Sequence, residues 1–387
     1  MRTSGDGTDA RIADLLRLRD EVGVLSLYVG IDPAEEARAR PAWRIRLDKD
    51  VQAIQKRLRA EHDHARRMAV EERLQALTPT LADLTKAAEP GRGRALFAGV
   101  RSGEVHTFAL QVALPTEATL GEIARLMPLL RVDDGHPRGV ILVGRDAVRV
   151  LEARYGRAVQ LQAHDVEPVV YDHDERKGPV ASDRLRGQKV STQRERWDRH
   201  VEADHARRLA RAAGRVGRVA TARGWELGVV AGDPRGAHAL IEALVKAGVA
   251  TELVDRDLVD LTPMHALAEL APVLDAVAQR RDLALVSRTR DAAAGGGRAA
   301  VGLDAVLAAL EEGLVETLLL DGDRQALGTV AVDGRLIAAR PGVEADPQFA
   351  DRLVQRAFET RARSRVVVGA AGAALAGVDG VAAVLRG

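Results

Sequence analysis

The chain has no cysteine, and its 387 residues include only four Phe, three Tyr and three Trp. Without cysteine there is no disulfide, no thiolate metal site and no thiol nucleophile. With so few aromatic rings, Ala, Val and Leu are expected to fill the core. Net charge is also nearly absent, at +1 for the whole chain. No long uninterrupted apolar run occurs. The most apolar stretch, residues 366–385, is broken by Asp379 and by glycines, and reads as strand, loop and strand rather than as a membrane span. The first twenty residues contain no apolar signal-peptide core, so a cytoplasmic protein with no membrane contact is expected. Several chemical signatures are missing as well. There is no Gly-x-Ser-x-Gly, no His-Glu-x-x-His and no dinucleotide fingerprint. Gly295-Gly296-Gly297 lacks the Gly-Lys-Ser/Thr of a phosphate loop and reads as a linker turn. His164, Asp165, Asp172, His173, Asp174 and Glu175 have no metal-ligand spacing and read as a solvated acidic loop. Neither a metal nor a cofactor is expected.

What the chain does have is one concentration of positive charge. Residues 184–218 hold eleven Lys/Arg against four Asp/Glu, a net of +7 on a chain of +1. Such a segment is the footprint of a polyanion partner, although a charge-rich helix is also commonly a solvated face. Residues 184–193 lack apolar periodicity and contain Gly187-Gln188. From about Arg194 the pattern turns helical. Trp197 and Val201 are one turn apart, and Leu209, Ala213, Val216 and Ala220 continue an apolar stripe. Arg194, Arg196, Arg199, Arg207, Arg208, Arg211 and Arg215 are then candidate RNA-binding residues on the helix, with Arg184, Arg186 and Lys189 in the loop before it. His200 and His205 are five residues apart, do not share a face, and read as surface or RNA-contacting.

The remaining pattern alternates strands and helices, so an α/β fold with mixed sheets and packed helices is expected. Helices are expected over 9–20, 41–60 and 64–88, with strands at 22–30 and a hairpin of 95–100 with 105–110 around Ser102-Gly103. Turn-rich Asp133-Asp134-Gly135 marks a first boundary. Strands follow at 140–143, 148–151 and 158–161, then a long polar loop, the basic helix and a strand at 226–231. Asp233-Pro234 opens a further helix, with Asp as N-cap and Pro at the first helical position, and 249–254 is a strand. From about Thr262 come helices at 267–277, 303–310 and 346–361, strands at 315–320, 366–368 and 381–385, and a hairpin of 329–332 with 335–338. Three domains result: 1–135, 136–262 and 263–387.

Three of these stretches together resemble one known family. A Gly-Gly-Gln loop ahead of a long Arg-rich helix is a feature of the archaeal–eukaryotic class 1 release factors. The match here is Arg186-Gly187-Gln188, followed by Arg194, Arg196, Trp197 and His200. In the last third, Ala308-Ala309-Leu310-Glu311-Glu312-Gly313-Leu314-Val315-Glu316 resembles the helix, glycine and strand of the release factor and Pelota families. Gly380 through Arg386 resembles their closing strand. Ser26-Leu27-Tyr28 and the basic helix after it loosely resemble their first domain. The resemblance spans most of the chain in the correct order, and implies three release-factor/Pelota-like domains, the last resembling RNA-binding proteins.

The departures bear on function. No Asn-Ile-Lys-Ser loop and no Tyr-x-Cys hairpin is present, so stop-codon decoding is not expected. The first glycine of Gly-Gly-Gln is replaced by Arg186. The resemblance then implies a bacterial branch that includes the peptidyl-tRNA hydrolase of ribosome quality control and the Balon-type hibernation factors. It implies the ribosome as partner, through ribosomal RNA at the tRNA site, and a translational GTPase as an associated factor. Two roles follow. One is occupancy of the A site of idle or stalled ribosomes. The other is hydrolysis of peptidyl-tRNA, with Gly187 and Gln188 as catalytic residues. A third, separate reading is RNA binding with no ribosomal role.

Overall fold

A computed structural model describes residues 12–31, 41–61, 63–86, 92–132, 136–144, 147–161, 209–324, 328–339 and 343–387. Helix α1 (residues 12–17) leads into the long strand β1 (Arg19–Gly30). Helices α2 (Ala42–Ala60) and α3 (His64–Leu84) follow, then β2 (Gly93–Gly99), β3 (Val105–Leu110) and β4 (Glu117–Ile123). The sheet order is β3-β2-β1-β4. Every pairing in it is antiparallel, where a mixed sheet was expected in each domain. The reason is the number of helices between β1 and β2. One crossover helix returns the chain for a parallel strand, whereas the pair α2–α3 carries it out and back again. Leu47, Ile54 and Leu58 of α2 and Val70 and Leu77 of α3 pack with Leu25, Leu27 and Val29 of β1. The few aromatics are concentrated rather than absent from the core. Phe97 stacks edge-on against Tyr28 at 5.6 Å and Phe108 at 5.9 Å, a favoured ring geometry.

After a short helix α4 (Met127–Val132), strands β5 (Arg138–Val143), β6 (Val148–Arg154) and β7 (Arg157–Gln160) form a meander. Tyr155 and Gly156 connect β6 to β7, with φ of 51° and 70°. Two positive φ values make this the two-residue turn whose twist matches a hairpin. Helix α5 (residues 209–223) comes next, followed by β8 (Leu227–Gly232), α6 (Pro234–Lys246) and β9 (Ala250–Val254). As expected, Asp233 caps α6, accepting from the Gly236 amide at 3.2 Å. The sheet order is β7-β6-β5-β8-β9, with β5–β8 and β8–β9 parallel.

Helix α7 (Pro263–Ala294) has 32 residues, far beyond the expected 267–277. Then follow β10 (Ala299–Val301), α8 (Leu303–Glu311), β11 (Val315–Asp321), the hairpin β12 (Gly328–Val330) with β13 (Leu336–Ala338), and α9 (Phe349–Glu359). Strand β14 (Arg363–Val367), helix α10 (Gly369–Leu375) and β15 (Val381–Leu385) close the chain. The stretch 366–385 is therefore strand, helix and strand, not strand, loop and strand. The third sheet has the order β10-β15-β11-β14, with β11–β14 parallel and the other pairs antiparallel.

The described chain divides into two compact units. One combines residues 1–135 with 279–387, and the other is 136–278. The middle unit thus ends at Ala278 and not at 262. Ala266, Leu267, Leu270 and Leu274 of α7 are buried in one cluster with Val140, Leu142 and Val229 of the middle sheet. Further along α7, Val286 is buried with Leu319, Val367 and Leu375 of the other unit. Among the described residues no helix is long and apolar enough to cross a membrane.

Candidate nucleic-acid interface

Helix α5 presents two distinct faces. Leu209, Ala212, Ala213, Val216 and Ala220 are all buried, in one cluster with Ile141, Val150 and Val230 of the middle sheet and Leu240 and Leu244 of α6. The stripe expected from the sequence is therefore the packed face. At Gly217 an added Cβ would lie 3.3 Å from the Ala243 carbonyl oxygen and 3.6 Å from its Cβ, so the absent side chain lets α5 and α6 approach closely.

Opposite that face are Arg211 and Arg218, both exposed, and Arg215, half-buried. Four and then three residues apart, they form one row along the helix. Gly214 sits among them, and a Cβ there would meet only the Arg218 guanidinium, at 3.8 Å. The row is therefore open to a bulky partner.

The end of α5 is fixed in place. Gly224 has φ of 65°. Its amide donates to the Thr221 carbonyl at 3.2 Å, and the Trp225 amide donates to the Ala220 carbonyl at 2.9 Å. This pair of bonds is the Schellman termination, which satisfies carbonyls that a helix end leaves free. The buried Trp225 ring then donates its Nε1–H to Glu152 of β6 at 2.9 Å, and Arg223 pairs with the same carboxylate at 3.3 Å. A basic row is thus carried on a helix locked to its sheet by packing, a terminal turn and a two-donor carboxylate. Glu152 had no sequence signal, because its partners are more than seventy residues away.

Of the expected site residues, the structure describes Arg211 and Arg215, and Arg218 of the same basic segment lies in one row with them. Gly187, Gln188, Arg184, Arg186, Lys189, Arg194, Arg196, Arg199, Arg207 and Arg208 lie outside the described residues, as do the acidic stretch 164–175, His200 and His205. Among the described residues no group of three or more His, Asp or Glu side chains could hold a metal ion.

Comparison with known proteins bears on the same part of the chain. No curated protein matches. Among solved structures, an archaeal translation termination factor, aRF1, is 20% identical over 100% of this chain and 99% of its own, with a TM-score of 0.25. Archaeal Pelota, from a ribosome-bound assembly with ABCE1, is 15% identical over 98% and 94%, with a TM-score of 0.39. Dom34 of S. cerevisiae, a translation termination-like factor, is 10% identical over 73% and 74%, also at 0.39. Residues 123–282, fewer than half of the chain, match the family model of bacterial archaeo-eukaryotic release factor family 10. That segment encloses the whole 136–278 unit, with α5 and its arginine row, so it is this unit that is similar to the bacterial archaeo-eukaryotic release factors.

Proposed function

We propose that this protein is a translation factor that occupies the A site of idle or stalled ribosomes, without decoding a stop codon. The observation that carries this reading is the row Arg211, Arg215 and Arg218 on a helix whose opposite face is wholly buried. A helix held in this way presents its guanidinium groups at fixed spacing, and Arg forms bidentate bonds to phosphate oxygens. In sequence the row continues upstream through Arg207 and Arg208 toward the Gly187-Gln188 segment. The family match over the same unit supports ribosomal RNA as the polyanion. A translational GTPase is the delivery partner that this reading implies. Sedimentation of the full chain with ribosomes over a salt series tests it. Absence of co-sedimentation at low salt defeats the reading.

The Gly187-Gln188 pair favours a second reading, hydrolysis of peptidyl-tRNA. Water attacks the ester carbonyl, the oxygen gains negative charge, and the ester bond breaks to free the peptide acid and the tRNA hydroxyl. A neutral amide and a close backbone N–H are suited to orient the water or stabilise that oxyanion. Arg186, in place of a glycine, restricts the backbone at the first position of the motif and weighs toward occupancy without chemistry.

A further inference from the structure

We infer that the outer face of α2 is a second phosphate-binding surface, separate from the α5 row and carried by the other unit. Helix α2 has six Lys/Arg and two Asp, a net of +4. The structure divides these charges into two sets. Arg57, although half exposed, already has partners, donating to the Leu120 carbonyl of β4 at 2.9 Å and lying 3.6 Å from Glu61. Asp50 is likewise committed, accepting from the Ala118 amide at 3.2 Å. Lys49, Lys56 and Arg59 are all exposed. At 100° per residue they fall within one narrow stripe, together with Ile45 and Gln52 and opposite the buried Leu47, Ile54 and Leu58. The stripe is about 15 Å long, at 1.5 Å per residue.

A merely solvated helix face usually intersperses acids at positions three or four residues from its lysines, where the pairs stabilise the helix. This one does not. The residues at those distances from Lys49 are Ile45, Arg46, Gln52 and Ala53. Those around Lys56 are Gln52, Ala53, Arg59 and Ala60. For Arg59 the only acid is Asp63, whose carboxylate is used to cap α3, accepting from the Arg66 amide at 2.9 Å. The nearby Glu61 is taken by Arg66 at 2.7 Å. Among the described residues no carboxylate pairs with Lys49, Lys56 or Arg59. Arg59 is in the last turn, where the helix dipole favours a cation. Lys49 is at mid-helix and has no such compensation, and Lys56 and Arg59 repel one another at a spacing of three. A row of phosphates supplies the missing counter-charge. The choice of RNA as the polyanion rests on the ribosomal reading above, whereas the stripe itself does not.

The test uses the full chain and a fluorescein-labelled 24-base-pair RNA duplex, titrated from 50 to 300 mM KCl. The variant Lys49→Gln/Lys56→Gln/Arg59→Gln changes only exposed side chains, and its unaltered circular dichroism melt serves as the folding control. Each neutralised phosphate contributes about 0.9 to the slope of log affinity against log salt, taking the B-form duplex value. The triple variant is expected to flatten that slope by about 2 to 3 and to bind roughly tenfold or more weakly at 100 mM. The variant Arg211→Gln/Arg215→Gln/Arg218→Gln should flatten it by a separate increment, the two adding when combined. Unchanged affinity and slope in the α2 variant overturn the inference, as does wild-type protein that fails to bind the duplex. So does a loss confined to polyglutamate binding, which would make the stripe a site for an acidic protein. Absence of ribosome co-sedimentation with intact, α2-dependent duplex binding would instead defeat the ribosomal reading and leave this one standing.

Discussion

The carboxylate of Asp351 lies 3.6 Å from the guanidinium of Arg125 while being only 1% exposed. Its Oδ1 accepts the backbone N–H groups of Leu126 and Met127 at 2.7 and 2.8 Å, and its Oδ2 has no hydrogen bond. Arg125 is held from the other side, since the Tyr28 hydroxyl donates to its carbonyl and its own amide donates to Ser26 Oγ. One turn before Asp351, Gln348 bonds to the Ile123 carbonyl and the Glu122 amide. Side chains of the last third thus close over the backbone of residues 122–127, within one unit. Burial raises the Asp351 pKa to about 6, only partly offset by Arg125 and the two amides.

The pH dependence follows from that shift. The folded carboxyl holds its proton to about pH 6, whereas the unfolded one loses it near 3.9. Stability from this group is therefore greatest below pH 4, falls as pH rises to about 6, and is level above that. A shift of about 2 units corresponds to about 3 kcal/mol. Asp351→Asn keeps an acceptor for both amides and has no charge to bury, so its melting temperature should lack this slope between pH 4.5 and 6.5. Asp351→Ala leaves the Leu126 and Met127 amides without their acceptor, while Arg125 keeps Glu117 at 2.8 Å, so the expected loss is roughly 1–3 kcal/mol for each unsatisfied buried donor. Calorimetry across that range checks both. A wild-type slope that persists in Asp351→Asn would assign the titration to another group.

Replacing Arg211, Arg215 and Arg218 with Gln should leave the fold intact, because none of the three contributes to the buried face of α5. Co-sedimentation with ribosomes should weaken steeply, and its salt slope should fall by about 0.9 for each phosphate left without its arginine. Reversing Arg211 alone to Glu should cost more than neutralising it, since it adds repulsion. Binding that ignores salt in the wild type would contradict a phosphate interface.

Local pattern carried much of this fold, and the residues show why it stopped where it did. The stripe from Leu209 to Ala220, the cap at Asp233-Pro234 and the apolar strands at 140–143 and 227–231 are each set by neighbours within a turn or a pleat. The extent of α7 was not visible. Pro272 interrupts its interior, and around Gln279-Arg280-Arg281 its apolar positions pass from one core to another, so no single stripe persists. Helix α10 is almost entirely Ala and Gly, which gives no apolar period to read. Strand β4, Glu117–Ile123, alternates weakly and includes a glycine. Asp351 and Glu152 were missed because a carboxylate is recognisable as buried only once its distant partners are known.

The boundary of the middle unit gives a separate test. Ala266, Leu267, Leu270 and Leu274 close one side of its sheet. A fragment of residues 136–278 keeps them, and is expected to melt cooperatively. A fragment ending at 262 exposes the apolar surface beneath them, at roughly 2 kcal/mol or more for each leucine removed. That total is comparable to the whole stability of a typical domain. Circular dichroism should show little or no cooperative transition in the shorter fragment. Equal melting of the two would mean that α7 is not part of that core.

Occupancy and hydrolysis are separated by Gln188. An enzyme would need the Gln188 amide and the Gly187 backbone to align water or an oxyanion donor at the ester, and losing one such donor costs about 10²–10³ in rate. Gln188→Ala would then abolish peptide release from peptidyl-tRNA on ribosomes. Sedimentation would be unchanged, because neither the loop charge nor the α5 row is altered. Gly187→Val would be equally damaging, by blocking close backbone approach. An occupancy factor releases no peptide above background in the wild type, and both variants still sediment with ribosomes. Arg186 favours that outcome, since its side chain stands where the family has a glycine and adds a cation that a phosphate can hold. Arg186→Gly provides the converse check. If Arg186 is what keeps the loop inactive, the variant should gain release activity and bind ribosomes more weakly. Robust wild-type release that disappears in Gln188→Ala would make the protein a hydrolase.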